Sequence, residues 1–300
     1  METLLLTGAS GFLGRNMLPR LHRRFAVTTL GRSSVNDISV DLSAGVPKLP
    51  GRYDIVVHAA GMAHQMPANT RQARMYHSVN VEGTRNLCRA LEATGAPHTF
   101  VFLSSVSVYG ADTGCGITEE HPLEGRSVYA LSKIEAEHLL TQWCAANGTD
   151  AVILRPSLIV GDRPAGNLAS MIRGIRYGYY RNIGRGNARR SLALAEDIAN
   201  VVALCRGHSG IFNICTSESP TVGELAAHIA ASLGKKHVRS ISPRIASLLA
   251  LPGEVLGRFW PVDSRRLAKM TSDLTFDNTR ARTILGWDPM PALPNFHILR

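Results

Sequence analysis

The chain is short of several things that 300 residues often carry, and each shortage removes a class of protein. It has five cysteines (Cys88, Cys115, Cys144, Cys205 and Cys215), an odd number without CxxC spacing, which resembles neither a disulfide framework nor a zinc site. They read as reduced thiols, and no metal site is expected. Aromatic residues make up only 6% of the chain. The arginines cluster at Arg20, Arg23 and Arg24 and again at Arg173, Arg176, Arg181, Arg185, Arg189 and Arg190. They lack the interleaved aromatics of a single-strand platform and any recognisable DNA-reading module, so no nucleic-acid partner is expected. No apolar run is long enough to cross a bilayer: LLALPGEVLG (248 to 257) is broken by Pro252 and Gly253, so membrane contact is at most peripheral. Met1 leads straight into a strand-like stretch with no apolar leader, and the expected compartment is the cytoplasm. Acidic residues are outnumbered 23 to 33 by lysine and arginine, a net charge of +10 that admits a phosphorylated substrate or an acidic surface.

What is present is a chain 45% hydrophobic and 19% charged, enough to bury a substantial core. Short apolar runs, TLLLT (3 to 7), FAVTTL (25 to 30), DIVVHA (54 to 59), TFVFLSS (99 to 105) and AVILRP (151 to 156), alternate with helical patterns. Runs apolar on both faces, joined by segments long enough for crossover helices, predict a doubly wound parallel sheet of the Rossmann-like α/β class. From about residue 160 the elements shorten. A helix is expected around Asp197 to Cys205, a strand at IFNIC (211 to 215), and a helix opened by Thr221 and Glu224 at capping-box spacing. The expected division is a dinucleotide-binding domain over 1–160, with 190–210 returning to it, and a smaller α/β substrate domain over 161–189 and 211–300.

The first strand ends in TGASGFLG, with glycines at 8, 11 and 14. A strand that turns through glycine into a helix aims free backbone N–H groups and the positive helix end at one point, where a dinucleotide pyrophosphate fits. Gly8 permits the turn, Gly11 lets phosphates approach the main chain, and Gly14 lets the helix lie close to the sheet. Gly8, Gly11, Phe12, Leu13 and Gly14 are the expected contacts, while Leu13, Met17 and Leu21 form the buried stripe. Pro19 predicts a kink or an early end of that helix. The second strand ends in Leu30-Gly31-Arg32-Ser33-Ser34, with no carboxylate to accept hydrogen bonds from an adenosine ribose. Arg32 and Ser33 can instead receive a 2′-phosphate, which favours NADP(H), with NAD(H) the alternative.

YALSK puts Tyr129 and Lys133 one helical turn apart, on the same face. A nearby ammonium favours the phenolate and brings a phenol of pKa near 10 toward working range. Ser105 ends the strand TFVFLSS, at the edge where such sheets bind ligands, and could share a proton with that phenol. Ser104 and Ser107 compete for this place, with strand-end hydrogen bonding their plain alternative, and Tyr109 reads as a packing or substrate-wall residue.

The GxxGxxG turn, Asp41-Leu42, HAAG (58 to 61), NVEGT (80 to 84), SSVSVYG (104 to 110), YALSK (129 to 133), LRPSLIVG (154 to 161), RSLALAEDIA (190 to 199) and LGWDP (285 to 289) follow one another in an order that resembles the extended short-chain dehydrogenase/reductases, the group containing nucleotide-sugar epimerases, dehydratases and reductases. The resemblance implies that Asp41 and Leu42 lie beside the adenine, that Ala59, Ala60 and Gly61 line the cofactor, that Asn80 supports that loop and that Pro156 borders the site. It implies that Ser105 positions the reacting hydroxyl or carbonyl, that Tyr129 exchanges the proton, and that Lys133 lowers the phenol's pKa while holding the nicotinamide ribose. The implied substrate is a nucleoside-diphosphate sugar, its diphosphate met by Asn167, Leu168 and Arg190. One departure is the missing arginine-x-glycine-aspartate element, in whose place stands KMTSDLTFDNTRA (269 to 281), where Lys269 could substitute.

A dehydratase is disfavoured because Val106 and Ser107 occupy the positions of its acidic pair. UDP-sugar 4-epimerases and 4-keto reductases are both implied, and Arg32 favours the reductase. A reductase of a non-sugar ketone and a non-catalytic dinucleotide sensor are the competing classes. The Leu- and Ala-rich segments 70–94 and 127–147 could pair between two subunits of a homodimer.

Overall fold

In the computed structural model, which describes residues 1–63, 67, 69–248 and 264–298, the apolar runs of the first half become neighbouring strands of one sheet. Its seven strands are β1 (Thr3–Thr7), β2 (Ala26–Gly31), β3 (Ile38–Ser39), β4 (Ile55–His58), β5 (Thr99–Leu103), β7 (Asp150–Pro156) and β11 (Gly210–Ile214), in the order β11-β7-β5-β4-β1-β2-β3. Every pairing is parallel. Three two-stranded pairs complete the strands: β6 (Gly114–Ile117) with β13 (Leu274–Phe276), β8 (Leu158–Val160) with β10 (Leu192–Leu194), and β9 (Asn182–Ile183) with β12 (Ser240–Ile241). The strand order reverses between β1 and β4, the point at which such sheets bind ligands.

The sheet is buried on both faces because successive side chains of a strand point to opposite sides. Leu4, Leu6, Val57 and Val101 pack with Met17 and Leu21 of α1 (Phe12–Leu21) and with Val201 and Val202 of α6 (Ile198–Leu204). Leu5, Val56, Phe100 and Phe102 pack on the other face with Leu87 and Leu91 of α3 (Gly83–Thr94) and with Ala136 and Leu140 of α4 (Val128–Asn147). Sequence Asp197 and Trp287, from two motifs that are ninety residues apart, meet here: the Trp287 indole N–H and the Met290 N–H both donate to the buried Asp197 carboxylate, at 3.2 and 2.9 Å. A separate core forms where α5 (Gly166–Arg176) and α7 (Val222–Ser232) close over β8 and β10, around Leu168, Ile172, Leu192, Leu225 and Phe296.

Two local expectations change. Helix α1 runs through Pro19 to Leu21 instead of ending at the proline. The ring falls in the last turn, where its missing N–H forfeits a single bond and His22 N–H still reaches Leu18 O at 3.0 Å. The segment that returns to the large sheet continues through β11 to Ile214. The Thr221 capping box forms as expected, with Thr221 Oγ1 accepting from Glu224 N–H and the Glu224 carboxylate accepting from Thr221 N–H. Among the described residues no helix is long and apolar enough to cross a membrane, and LLALPGEVLG beyond Leu248 lies outside them.

Candidate active site

The three glycines of the first turn are demanded by different neighbours. Gly8 has φ +74°, and a β-carbon there would stand 2.6 Å from Ala60 N. One at Gly14 would strike Gly8 O and come 2.6 Å from Ala9 Cα. These two positions are closed by the protein's own backbone. At Gly11 the neighbour within 4 Å is Gly8 O, at 3.1 Å, so space is left open on the other side of the turn. Gly11 also caps α1 without any side-chain hydrogen bond, so the first N–H groups of the helix, from Phe12 onward, meet no capping side chain. An uncapped helix end beside a position open only because its residue is glycine fits a dinucleotide pyrophosphate.

The loop after β4 is tied down on the opposite side of this turn. Ala59 N–H donates to Thr7 O and Ala60 N–H to Thr7 Oγ1, at 3.3 and 3.1 Å. His58 beneath them is fully buried between Thr7 Oγ1 (2.6 Å) and Thr84 Oγ1 (2.9 Å), and burial pushes its pKa down to about 3, so it is neutral. Asn80 sits in a π-helical turn, Ser78–Glu82, between α2 (Thr70–His77) and α3. The wider turn swings its amide into the loop: Oδ1 accepts from Met62 N–H (2.7 Å), and Nδ2 donates to Met62 O (3.1 Å) and Ser132 Oγ (2.8 Å). A β-carbon on Gly61 would lie 3.1 Å from Asn80 Oδ1 and 3.4 Å from Lys133 Nζ. The loop, Asn80 and the α4 lysine therefore converge on Gly61.

Tyr129 and Lys133 stand on the first turns of α4, whose start is fixed by Ser127 Oγ accepting from Ala130 N–H at 3.0 Å. The Tyr129 phenol lies near enough to the Ser105 side chain for it to favour the phenolate, and its ring meets Tyr76 edge-on at 6.2 Å between centroids. Burial pushes its pKa up to about 12, which outweighs the lowering from Ser105. The expected lowering by Lys133 is not what this geometry produces. Lys133 Nζ donates to Leu103 O at 2.7 Å and lies 4.5 Å above the Phe102 ring. Burial brings the ammonium's own pKa down to about 8, against the nearby Glu137 carboxylate, which raises it.

Glu137, one turn beyond Lys133, opens a buried chain of polar groups that the sequence patterns had not singled out. Ser104 Oγ donates to its carboxylate, and Arg155 donates from Nη2 at 2.6 Å and from Nε at 3.1 Å. Arg155 Nη1 reaches Tyr109 Oη (3.1 Å), which donates to Asn213 Oδ1 (2.7 Å), and Asn213 N–H donates to Glu119 (2.7 Å). Ser104 and Tyr109 are thereby occupied beneath the site, while Ser105 accepts from Ser107 N–H at 3.1 Å and faces Tyr129. The i, i+4, i+8 spacing of Tyr129, Lys133 and Glu137 was the available signal for Glu137. No spacing rule announces Arg155, which belongs to the neighbouring strand β7.

At the rim, Arg32 and Ser33 are exposed in the turn after β2. The nearest carboxylate along the chain, Asp37, is occupied by Thr29 N–H and Oγ1, both at 2.8 Å. Asp41 accepts from Ser43, which with Arg32 holds its pKa low, and Leu42 packs against Gly83. Pro156 closes β7, aligned with Ile214 of β11. The residues expected at the substrate diphosphate are not drawn together in the same way. Asn167 is exposed and Leu168 buried at the start of α5. The Arg190 guanidinium donates to the backbone carbonyls of Arg189, Ser272 and Lys269, which places it over the end of α8 (Ser264–Thr271). Lys269 itself pairs with Asp112 at 2.6 Å.

The seven-stranded parallel sheet, with its glycine turn at the switch point and a Ser-Tyr-Lys set at the strand ends, defines a dinucleotide-binding α/β enzyme. The model of the NAD dependent epimerase/dehydratase family matches residues 4–215, and the chain belongs to that family. It is 27% identical over 94% of its length to the N-acetyl-alpha-D-glucosaminyl-diphospho-ditrans,octacis-undecaprenol 4-epimerase of Escherichia coli O157:H7, covering 89% of that protein. It is 31% identical over 75% of its length to the GDP-6-deoxy-D-mannose reductase of Pseudomonas aeruginosa, covering 78% of that relative. The structure of RMD from Pseudomonas aeruginosa complexed with NADPH superposes with a TM-score of 0.75 at 24% identity, with 99% of this chain and 95% of that one covered. The protein is thus an NAD(P)-dependent enzyme of the epimerase and reductase type.

Proposed function

We propose that the enzyme acts on C4 of a sugar carried on a nucleoside diphosphate, and that reduction of a 4-keto group with NADPH is favoured over 4-epimerisation. The observation that carries the reading is the convergence at the strand ends: Gly61, Asn80 and Lys133 meet on one side, and the Ser105 side chain lies close enough to Tyr129 to act on its phenol on the other. When bound, the nicotinamide supplies the hydride. Gly8, Gly11, Phe12, Leu13 and Gly14 would hold the pyrophosphate, Asp41, Leu42, Ala59, Ala60, Gly61 and Pro156 would line the cofactor, and Arg32 with Ser33 would meet a 2′-phosphate. Ser105 Oγ orients the sugar oxygen, Tyr129 Oη gives that oxygen its proton as the carbonyl is reduced, and Lys133 holds the ribose and keeps positive charge near the phenolate that remains. A phenol that burial keeps protonated suits the acid role of a reductase, as the exposed Arg32 suits NADPH.

Asn167, Leu168 and Arg190 remain the proposed diphosphate contacts, and pairing of two subunits through 70–94 and 127–147 belongs to the same proposal. A second reading, the same chemistry on a sugar joined to a lipid diphosphate as in the name of the Escherichia coli relative, is favoured by the basic surface around α5. Incubation with NADPH and a panel of UDP-, GDP- and dTDP-sugars, 4-keto forms included, separates the outcomes. Stoichiometric oxidation of NADPH with a product two mass units heavier supports the reductase. An isomeric product without net oxidation supports the epimerase, and no conversion of any panel member removes the nucleotide-sugar reading.

A further inference from the structure

Two stretches of the smaller lobe contain no carboxylate at all. Between Asp162 and Glu196 there are seven arginines and no acid, and between Glu224 and Glu254 there are four lysines and arginines and no acid. These eleven cations exceed the net charge of the whole chain, +10. The fold brings the two stretches side by side, because β9 and β12 pair. Asn182 N–H donates to Arg239 O at 2.9 Å and Gly184 N–H to Ile241 O at 2.8 Å. A β-carbon on Gly184 would touch Pro243 at 3.5 Å, which continues the contact toward Arg244 and Ile245.

The surface so formed is apolar as well as basic. Arg173, Arg176, Arg185, Arg239 and Arg244 are exposed, and among them stand Tyr177 (72% exposed), Tyr179 (62%), Ile245 (50%) and Leu248 (65%). Beside α5, a concavity of about 350 Å³ is lined by Arg163, Arg173, Arg176, Tyr177, Ile172 and Ile298. Asp162 is the acid in that lining, and it stands 3.8 Å from Arg163. Cations carry attraction to a layer of phosphates, tyrosines prefer the boundary between headgroups and acyl chains, and exposed aliphatic side chains gain only where they leave water. Nucleic acid would reward the cations and the rings but not Ile245 and Leu248.

We propose that this face docks the enzyme peripherally on an anionic lipid bilayer, with the arginines of α5 on lipid phosphates and Tyr177, Tyr179, Ile245 and Leu248 at the headgroup boundary. The docking is independent of the chemistry at Tyr129, and it goes beyond the reading of the reaction above. It would bring a sugar on a lipid diphosphate to the enzyme, and it would hold for a soluble substrate as well.

The test is flotation of the full chain with vesicles of phosphatidylcholine alone and of phosphatidylcholine mixed with phosphatidylglycerol, at physiological salt. The expected result is flotation with the anionic vesicles only. An Arg173→Gln/Arg176→Gln variant should lower partitioning roughly thirty-fold, at about fivefold for each cation lost. Tyr177→Ser/Tyr179→Ser should lower it several-fold while leaving the charge unchanged. Absence of flotation overturns the proposal, and flotation that both variants retain in full overturns the assignment to this face. Binding of a single-stranded oligonucleotide that the arginine variant abolishes, without flotation, replaces the bilayer by nucleic acid. NADPH binding by the same variants, followed by fluorescence, shows that they are folded and keeps a failure of docking separate from a failure of the proposed reaction.

Discussion

The charges around the catalytic helix and those on the outer face of α5 follow opposite rules. In the first region, Glu137 and Arg155 are almost wholly buried, with side chains 3% and 2% exposed, and each is matched group by group through Ser104, Tyr109 and Asn213. In the second, arginines gather without a carboxylate in either stretch of chain. Away from water an unpaired charge costs several kcal/mol, so Glu137 and Arg155 are held as a complete set, and Lys133, whose ammonium has a single carbonyl partner, is lowered in pKa by its burial. At the surface water and counterions screen each charge, and a single sign can accumulate at little cost to stability. The difference teaches that the pairing inside is a condition of the fold, whereas the excess outside is free to serve a partner.

The comparison can be broken or sharpened by substitution. The largest effect is expected at the site itself: Tyr129→Phe should lower turnover by about 10²–10⁴-fold while changing the NADPH dissociation constant little, measured by steady-state kinetics and fluorescence titration. Full turnover would end the assignment of the proton donor. Arg155→Met should then cost about 3–5 kcal/mol in urea unfolding, because it strands the Glu137 carboxylate, and Glu137→Leu added to it should restore much of the loss. The exposed pair of Arg206 with Glu2, at 2.5 Å, should cost less than about 1 kcal/mol when Arg206→Ala removes it. Equal losses at the two sites would erase the distinction drawn above.

Within the glycine turn, Gly8→Ala should destabilise the fold by about 2 kcal/mol or more, from a left-handed φ and the 2.6 Å approach to Ala60 N. Gly11→Ala should unfold at nearly the wild-type urea midpoint and yet lose dinucleotide affinity. Normal NADPH and NADH binding by the Gly11 variant would show that the open side of the turn is not the pyrophosphate cradle.

A pH-dependent effect concerns Lys133, whose ammonium is lowered by burial from 10.5 to about 8. The unfolded chain holds that proton more tightly, so stability rises with pH between about 8 and 10.5, and below 8 the folded protein bears a constant cost of about 3 kcal/mol. Lys133→Met removes this cost but strands Leu103 O, worth about 1 kcal/mol, so the variant should be the more stable at pH 7. Its advantage should fade toward pH 10.5 in pH-dependent urea melts, while turnover is lost.

Much of this was legible in residue order. Strand alternation announced the sheet, glycine spacing the turn, and Thr221 with Glu224 the cap, because each depends on neighbours within one turn or one strand. The placing of Tyr129 and Lys133 one turn apart on a single helix was legible too. What spacing did not reveal is the direction of their titration. Phenol and ammonium are shifted by burial, and Lys133 points to a carbonyl of β5. Burial is a property of everything packed around a group and has no signature in a five-residue motif. Nor does spacing announce that the carbonyls at the end of α8 engage the Arg190 guanidinium.

By itself the sequence determined the parallel sheet, the glycine turn and the shared helix of Tyr129 and Lys133, since local periodicity and stereochemistry act over a few residues. Tertiary structure alone decided that Asn80, Gly61 and Lys133 meet, that Glu137 finds Arg155, and that two acid-free stretches form one surface. Those outcomes depend on which distant segments exclude water from one another, and burial, unlike spacing, is settled only once the whole chain has packed.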